Sequence, residues 1–549
     1  MSGETLHAKP SETSDHSGNT FVVRLRAVTL LATIAGAIGS ISFFIFTGRR
    51  TSPILLLILG IWMLSPFIGL IVSRWASSDW SAAARTTTHL LIIAVALGSL
   101  AFYGSVAFGS PSGRTAIPFM VLPLVSWLVI LLVVPLTALV SGKKTGRRLL
   151  SKALAVLALS PVLVLGVSIG LLWLEYRSEL TLPSPTGQFP VGRMIFDWTD
   201  EGATDPMAPV PGTKREVLVW LWYPAAAPQT TLGDYVPAQL RTRAVTTGEF
   251  PIWKWLTRDW SKVHVHSTDN ADVSPRERSY PVVVMRGGAS AGVMNYTTLA
   301  EDLVSHGYVV VGIDAPYRTG QIVFPDGRVI TRTPENNPEA LQGSKEQAAR
   351  LDKLFSQWIS DIGFVLDRLA RLNVSDPSGK FNGHLDLTRV GIFGHSWGGA
   401  QAVQFCRDDS RCKAAIDIDG APYGSVVQSG SQKPLMFLLS DHGGESDTES
   451  REVMANIQSI YDRLPDNGRV RLMIHGANHN TFSDDTALLK SRIMRGLLRI
   501  FGRLRIDATR QLALTTYCVH SFLDQHLKGA VNPGLNVSSP LYPELEIVK

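Results

Sequence analysis

Five long stretches in the first third of the chain contain no Asp, Glu, Lys or Arg, and they constrain the fold more than any other feature. They span residues 27–48, 51–73, 86–113, 115–142 and 153–174. Each is longer than the roughly 18–20 residues that an α-helix needs to cross the hydrocarbon core of a membrane. Buried helices of soluble proteins are normally shorter and carry a polar stripe. We therefore expect a cytoplasmic amino-terminal tail over 1–26 and an all-α transmembrane bundle of about five helices over 27–176.

The basic residues between these stretches predict the orientation of the bundle, because cytoplasmic loops are enriched in Lys and Arg. When the loops are assigned to alternate sides, ten basic residues fall on the side of the amino terminus and four on the other. Half of the ten lie between the fourth and fifth stretches: Lys143, Lys144, Arg147, Arg148 and Lys152. We therefore expect a multi-pass protein of the cell membrane, with everything after residue 176 outside the cytoplasm.

The remaining two thirds, residues 177–549, have the composition of a soluble protein. Segment 178–212 is rich in Pro, Gly, Thr and Asp, which predicts a linker followed by the entry into the domain. An apolar stripe over residues 345–372 predicts a long amphipathic helix. Continuous runs of Val, Ile and Leu are typical of parallel strands covered on both faces, and strands that alternate with helices imply a mostly parallel, doubly wound α/β sheet. The predicted strands are 216–223, 281–285, 308–313, 389–393, 414–418, 435–439 and 470–474.

Composition narrows the range of functions. The chain has 3 Cys among 549 residues, too few for an iron–sulfur protein or an all-cysteine zinc site. The net charge of +6 is modest, and no basic run contains interleaved aromatic residues, so we expect no nucleic-acid partner. The apolar stretches carry no acidic or basic residue of the kind that marks transport paths. We expect neither a metal ion nor an organic cofactor, and the sequence leaves the oligomeric state open.

The pentapeptide G-x-S-x-G occurs three times, around Ser168, Ser290 and Ser396. In α/β hydrolases this motif forms a sharp strand-to-helix turn that projects a nucleophilic serine. Ser168 lies inside the fifth apolar stretch, where lipid excludes hydrolysis. Ser290 and Ser396 both follow predicted strands. With Ser396 as the nucleophile, the strand-end loop 286–289 can supply a second N–H to an oxyanion hole, whereas few earlier strands remain to supply such a loop for Ser290. The motif therefore predicts Ser396 as the nucleophile and an α/β-hydrolase catalytic domain over 177–549.

A serine nucleophile needs a histidine base and a carboxylate, which follow it along the chain in this fold. His475 and His479 have the spacing of a zinc pair, but the Gly and Asn between them break a helix and no Glu follows the first His. His479 lies further into the loop, so we expect it to be the base and His475 to be structural. Asp419 and Asp441 end successive strands, and either could be the acid. We expect Asp417 to point away from the site or to be capped locally.

Three segments together resemble the platelet-activating factor acetylhydrolase family: Gly-His-Ser396-Trp-Gly-Gly-Ala, the strand end Ile-Asp-Ile-Asp419, and His479-Asn-Thr-Phe-Ser-Asp. The likeness covers roughly residues 180–530. Members of the family are α/β hydrolases that remove short or oxidised acyl chains from phospholipids. The resemblance implies that Asp419, rather than Asp441, is the acid of the triad.

The resemblance also implies that the oxyanion donors are the backbone N–H groups of Ala289 and Trp397. The chain departs from the family's pattern in two places. It has Arg286-Gly287-Gly288 where the family usually has Ser-His-Gly, and the amino-terminal spans are not part of the well-known enzymes. Arg286 could bind an anionic head group, but we favour a salt bridge at the loop.

These features predict a membrane-anchored serine hydrolase of the esterase or lipase type. The expected substrates are lipid or phospholipid acyl esters, or small esters, cleaved through the triad Ser396, His479 and Asp419. Two alternatives remain open. The same triad could serve an acyltransferase or a peptidase, or the domain could be a non-catalytic binding module on a membrane sensor or transporter.

Two cysteines, Cys406 and Cys412, flank the end of the helix that follows the nucleophile. Neither has a paired histidine, so a catalytic thiol is not expected. They could form a disulfide if the domain is extracytoplasmic. The alternative that we favour from sequence is two buried free thiols.

Overall fold

The computed structural model places the chain in two compact units, Met1–Leu171 and Leu172–Lys549. It describes residues 13–47, 53–108, 116–140, 170, 173–175, 177–227, 231–241, 259–289, 291–341, 343–441, 448–489, 495–496, 498–499, 504–531, 535 and 541–548. The predicted domain boundaries at 26 and 176 stay predictions.

The amino-terminal unit consists of long apolar helices. They are α1 (Thr13–Thr47), α2 (Pro53–Ala76), α3 (Ala82–Phe108) and α4 (Ala116–Val140). Within the described residues, three apolar segments are long enough to cross a membrane: Leu25–Ile45, Ala82–Phe108 and Val121–Ala138. The apolar part of α2 that qualifies is shorter, Gly60–Ala76. Most of the fifth stretch, 153–174, and the basic cluster before it lie outside the described residues.

The helices of this unit pack through small residues. A Cβ atom added to Gly36 on α1 would lie 2.8 Å from the carbonyl oxygen of Ala96 on α3, so the two backbones approach closely there. Such contacts through small residues are typical of helices that associate in lipid. A hydrogen bond between side chains also joins α4 to α2: Trp127 donates from Nε1 to Ser65 Oγ at 2.9 Å. Leu and Ile side chains, including Leu31 and Leu132, are exposed.

The second unit is built on a ten-stranded sheet. Its strands in chain order are β1 (Val191–Thr204), β2 (Lys214–Pro224), β3 (Ser267–Asp269), β4 (Tyr280–Arg286), β5 (Val309–Asp314), β6 (Leu385–His395), β7 (Cys412–Ile418), β8 (Leu435–Ser440), β9 (Arg469–Ile474) and β10 (Leu545–Ile547). The order across the sheet is β10-β9-β8-β7-β6-β4-β5-β2-β1-β3. The strands from β9 to β5 are parallel, and β2 joins them antiparallel to β5.

Helices cover both faces of the sheet, as the continuous apolar strands predict. They are α5 (Thr297–Ser305), α6 (Lys345–Val374), α7 (Trp397–Asp408), α8 (Thr448–Tyr461) and α9 (Ala508–Lys528). Apolar residues of α5 and α9 form one core with the sheet, and those of α6, α7 and α8 form the other. Helix α6 confirms the predicted stripe. It begins with a capping box in which Ser344 and Gln347 each accept a backbone N–H of the other, an arrangement that satisfies two donors left free at a helix start.

Segment 178–212, predicted as a linker plus domain entry, contains a strand that was not predicted. Residues 191–204 form β1, which pairs antiparallel with β2 along most of its length. The prediction failed because the second half of this strand, Thr199–Thr204, is largely polar and exposed, and its composition is that of a turn region. Strand β10 was also missed, since its three residues give too short a pattern.

Candidate active site

Ser396 is the only residue between β6 and α7, so the chain turns sharply at this side chain. Its backbone has φ +57° and ψ −125°. A residue with a side chain in such a conformation costs about 1–3 kcal/mol, and this strain is found mainly at functional sites. The turn is fixed from the neighbouring strand, because Ser396 donates its N–H to the Ile418 carbonyl at 2.9 Å. The side chain remains partly exposed at the end of the parallel strands.

The positions around Ser396 require glycine because a Cβ atom there would clash with neighbouring atoms. A Cβ on Gly394 would lie 2.1 Å from the Gly398 carbonyl oxygen. On Gly398 it would lie 2.4 Å from the Arg286 carbonyl oxygen, and on Gly399 it would lie 1.9 Å from Asp417 Oδ1. No real Cβ atom tolerates such distances. The motif is therefore a packing requirement of this strand-to-helix turn, as the sequence pattern predicts.

The loop after β4 lies directly beside the serine. A Cβ on Gly288 would be 3.4 Å from the Ser396 Cβ. The Gly288 carbonyl accepts the Ala291 N–H at 3.2 Å, which closes a tight turn. In a trans peptide the N–H points opposite to the preceding carbonyl, so the Ala289 N–H points out of this turn. Arg332 donates from Nη1 to the Ala289 carbonyl at 3.0 Å and holds the following peptide.

The second predicted donor, the Trp397 N–H, belongs to the first turn of α7. The first N–H groups of a helix have no partner within it and carry the positive end of its dipole. The Trp397 ring packs against Phe355, Trp358 and Tyr423, with ring centroids 5.8–6.3 Å apart. A wall of aromatic side chains thus begins at the residue after Ser396.

His479 and Asp419 are hydrogen-bonded to each other, with 2.8 Å between His479 Nδ1 and Asp419 Oδ2. The Asp419 side chain is 1% exposed and that of His479 is 45% exposed. Asp419 also accepts the Ser440 N–H at 2.7 Å and the Ser440 hydroxyl at 2.9 Å. Three donors therefore converge on one buried carboxylate, which favours its ionised form. The Nδ1–H bond leaves the Nε2 atom of His479 as the basic nitrogen.

The turn that carries His479 is fixed by its neighbours. Asn478 accepts the Asn480 N–H at 3.0 Å through its side chain, and Asn478 donates its own N–H to Thr481 Oγ1 at 3.0 Å. Asp441, the alternative acid, supports the same loop rather than the imidazole. It accepts the Gly476 N–H at 3.1 Å through Oδ2.

The other acidic and histidine predictions can now be placed. Asp417 is buried and accepts the Gly420 N–H at 2.8 Å, so it is capped locally as expected. Burial, and then the charge of Asp419, raise the pKa of Asp417 to about 8. His475 lies 2.8 Å from Glu546 on β10, which agrees with a structural role.

Neither expectation for Arg286 holds. Its side chain is buried, so it cannot meet a head group. It also forms no salt bridge among the described residues, because Nε donates to the Gln401 amide at 2.7 Å and Nη1 donates to the Ile313 carbonyl. The guanidinium instead ties the end of β4 to α7 and β5. Ser168 and Ser290 lie outside the described residues.

The cysteine expectation is corrected by the structure. Cys406 on α7 and Cys412 at the start of β7 form a disulfide, with their Cα atoms 5.0 Å apart. The tight connection between the helix and the next strand brings the two side chains together, which spacing alone did not decide. Cys518 is a buried free thiol.

One group of side chains in the described part of the chain has the composition of a metal site, namely Asp302, His306 and His520. Hydrogen bonds account for it. Asp302 accepts from Thr186 at 2.7 Å and lies 3.1 Å from His520 Nδ1, and the two imidazoles are stacked with centroids 4.1 Å apart. The group joins α5, α9 and the start of the domain.

Sheet order, nucleophile turn and the acid–histidine pair together define the class of protein. The second unit is an α/β hydrolase. The solved structure of a ferulic acid esterase from Streptomyces cinnamoneus agrees, with a TM-score of 0.55 and 28% identity over 68% of this chain and 100% of that one.

Residues 175–320 and 363–534 match the family described as platelet-activating factor acetylhydrolase, isoform II, and the chain belongs to that family. A probable 1-alkyl-2-acetylglycerophosphocholine esterase from Arthroderma benhamiae is 25% identical over 393 residues, 67% of this chain and 94% of that protein. The platelet-activating factor acetylhydrolase of Bos taurus is 27% identical over 370 residues, 63% of this chain and 77% of that protein. The protein is a carboxylic ester hydrolase. The family match begins after the apolar helices.

Proposed function

We propose that the protein is a membrane-anchored serine hydrolase that cleaves acyl esters of phospholipids or related lipids. One observation carries the proposal above the others. Ser396 lies in a strained turn at the start of α7, beside the glycine loop after β4. The loop after β9 supplies His479, which is hydrogen-bonded to the buried carboxylate of Asp419. That set of groups is what acyl transfer through an acyl-enzyme requires.

Ser396 Oγ attacks the ester carbonyl and forms a tetrahedral intermediate, and the hydroxyl proton passes to His479 Nε2. As the bond to the leaving alcohol breaks, His479 returns that proton to the alcohol oxygen. Water then repeats the sequence on the acyl-enzyme and releases the free acid. Asp419 keeps Nδ1 protonated and stabilises the imidazolium that forms in each half of the reaction.

The negative oxygen of each tetrahedral intermediate is held by the N–H groups of Ala289 and Trp397. The loss of one such donor typically costs about 3–4 kcal/mol in the transition state. Trp397 supplies its N–H from the start of α7, where the helix dipole also stabilises a negative charge. Ala289 supplies its N–H from a turn whose two neighbouring carbonyls are already occupied.

A lipid substrate is supported by the family and by the amino-terminal unit. One relative is named as a probable 1-alkyl-2-acetylglycerophosphocholine esterase and another as a platelet-activating factor acetylhydrolase. The three apolar helices long enough to span a membrane would hold the enzyme where lipid esters are concentrated, and tethering raises the local concentration of a partner. In the multi-pass arrangement proposed here the catalytic domain is extracytoplasmic, and the disulfide fits an oxidising compartment.

A second candidate substrate class is an ester of an aromatic acid. The partly exposed rings of Trp397 and Tyr423 favour it, since they could stack on a planar acyl group. The matching solved structure is a ferulic acid esterase. Hydrolysis of 2-acetyl glycerophosphocholine and methyl ferulate by the same preparation distinguishes the two classes.

The first experiment treats membranes carrying the full-length protein with a fluorophosphonate probe and maps the modified peptide by mass spectrometry. We expect labelling at Ser396 that is lost in Ser396→Ala and retained in Ser290→Ala. Release of free acid identifies a hydrolase, whereas transfer of the acyl group to another acceptor identifies an acyltransferase, and cleavage of peptides identifies a peptidase. A folded protein that takes no label at Ser396 contradicts the proposal and favours a binding module.

A further inference from the structure

A continuous set of hydrogen bonds runs behind the candidate site, from the oxyanion loop to the loop that carries the base. The Gly288 N–H donates to Tyr296 Oη at 3.3 Å. Tyr296 Oη lies 2.8 Å from His395 Nδ1. His395 Nε2 lies 2.8 Å from the His479 carbonyl oxygen. The bonds link segments almost 200 residues apart in sequence, 288 and 479.

Chemistry fixes the direction of the two end bonds, and the protonation state of His395 fixes the middle one. The Gly288 N–H can only donate, so Tyr296 Oη accepts from it and has its own proton for His395 Nδ1. The His479 carbonyl can only accept, so His395 Nε2 must carry a proton. When the ring carries a single proton, that proton therefore lies on Nε2 and Nδ1 accepts from Tyr296 Oη. All polar atoms of the two side chains are then used, and the direction is the same along the whole set.

Both side chains are buried, Tyr296 being 1% and His395 6% exposed. Burial, and then the charge of His479, lower the pKa of His395 to about 3. Protonation would give Nδ1 a hydrogen that faces the tyrosine hydroxyl and would reverse the direction of that bond. The neutral state is thus the one that the surrounding groups require.

We infer that Tyr296 and His395 are positioning residues that set the oxyanion loop and the His479 turn as one unit, so that both halves of the catalytic apparatus keep their geometry together. This inference rests on the proposed function of Ser396, Ala289 and His479. Tyr296 acts on the oxyanion side, because it holds the Gly288 N–H beside the peptide that presents the Ala289 N–H. His395 acts on the other side, because it holds the backbone of the base.

The chemical reason for this arrangement is that the base and the oxyanion donors must both be correctly placed in the same transition state. A displacement of about 1 Å in a reacting group can cost about 100-fold in rate. Asp419 fixes the orientation of the His479 ring, but it does not fix the distance between the base and the oxyanion loop. The bonds through Tyr296 and His395 supply that distance, and Ser396 directly follows His395 in the chain.

The chain offers a matched control for Tyr296. Tyr280, at the start of β4, is also 1% exposed. Its hydroxyl accepts one backbone N–H, from Glu277 at 3.3 Å, and donates once, to the Ser274 carbonyl at 2.9 Å. Tyr296→Phe and Tyr280→Phe therefore remove the same group, with the same burial and the same number of bonds. Of the two hydroxyl groups, only that of Tyr296 belongs to the hydrogen bonds that reach His479.

The experiment measures kcat and KM of the full-length protein with p-nitrophenyl acetate, together with the melting temperature, for Tyr296→Phe, Tyr280→Phe, His395→Asn and the double variant Tyr296→Phe/His395→Asn. Tyr296→Phe should lower kcat by about 10- to 100-fold, with KM little changed, because bound substrate is not touched. Tyr280→Phe should lower the melting temperature by a similar amount and leave kcat within about 2-fold. The double variant should be no slower than the slower single variant, since residues that act as one unit are not additive.

The inference is overturned if Tyr296→Phe has the kcat of Tyr280→Phe, or if the two single effects simply multiply in the double variant. Failure of the proposed function gives a different result, since wild type would then not hydrolyse the ester at all. A variant that melts below the assay temperature is assayed at a lower temperature beside Tyr280→Phe, so that unfolding and loss of positioning are separated.

Discussion

Two imidazoles lie side by side in the candidate site, and their surroundings give them opposite properties. The rings of His479 and His395 are 4.6 Å apart. His479 is 45% exposed and is bonded to a buried carboxylate that accepts three hydrogen bonds. His395 is buried between a phenol and a backbone carbonyl. In the proposed mechanism the first ring gains and loses a proton, whereas the second keeps its single proton.

The difference shows that the hydrogen-bond partners of a histidine determine whether it can act as a base or only hold its neighbours in place. A carboxylate partner stabilises the cation, so the ring beside Asp419 can act as a base. A hydroxyl and a carbonyl offer no charge to a cation, and burial adds a penalty to it. A positive charge on His479 during turnover also disfavours a second charge on His395. In the proposed mechanism the two rings therefore share at most one extra proton.

The largest effect should come from removing the base. His479→Ala should lower kcat by about four to six orders of magnitude, the range seen when the histidine of a serine triad is lost. The measurement is ester hydrolysis by the membrane-bound protein, with near-wild-type melting as the control for folding. His395→Asn should lower kcat by no more than about 100-fold. Equal losses in the two variants would remove the distinction between the rings.

The next largest effect should come from the two carboxylates at the end of β7. Asp419→Asn should lower kcat by about 10⁴-fold, because an amide in place of the carboxylate favours the wrong tautomer of His479. Asp417→Asn is the matched control. Asn keeps the acceptor for the Gly420 N–H and resembles the protonated acid that a pKa of about 8 implies at neutral pH. Its kcat should stay within about 2-fold of wild type. A large loss in Asp417→Asn would contradict the assignment of Asp419.

Much of this site could be predicted from the sequence. The glycines around Ser396 exist because nearby backbone and Asp417 atoms leave no room for side chains, so the motif encodes the turn itself. The strand ends place Asp419 and His479 at one edge of the sheet, because parallel strands share that edge. The choice between Asp419 and Asp441 came from the family resemblance, since both residues end strands and no spacing rule separates them.

The supporting residues could not be predicted in the same way. Ser440 and Tyr296 act through a hydroxyl that meets a partner far away in sequence, and no local pattern encodes such a pair. His395 was visible within the motif, but its role depends on the carbonyl of His479. Arg286 was misjudged because an arginine at a loop is usually exposed, whereas here it is buried against Gln401. Strand β1 was missed because half of it is polar.

Stability should depend on pH through the groups that burial holds in one protonation state. Folded Asp417, with a pKa raised from 3.8 to about 8, keeps its proton between these values while the unfolded chain loses it. The folded state then binds more protons, so stability falls as pH rises from about 4 to 8, by at most about 1.4 kcal/mol per pH unit for this group. Asp417→Asn should therefore gain stability relative to wild type across that window. Chemical denaturation at pH 5 and pH 8 checks this.

His395 should have the opposite dependence. Its pKa is lowered from 6.5 to about 3, so between these values the unfolded state binds the extra proton and stability falls as pH decreases below about 6.5. His395→Asn should remove the loss of stability that develops as pH falls below about 6.5, while Asp417→Asn removes the loss that develops as pH rises from about 4 to 8. An acid limb that is unchanged in His395→Asn would show that the ring is already charged in the folded protein.

The smallest effect on catalysis should come from the disulfide, which lies at the opposite end of β7 from Asp419. Cys406 and Cys412 are 6 residues apart in sequence, and a loop of that length should contribute about 2 kcal/mol to stability if chain entropy dominates. Cys406→Ala/Cys412→Ala should melt at a lower temperature, and reductant should lower the melting of wild type but not of the variant. The kcat should stay within about 2-fold of wild type, because neither imidazole depends on this end of the strand. A large fall in kcat would mean that the start of β7 controls the position of Asp419, and the difference between the two histidines would then depend on the whole strand rather than on their immediate partners.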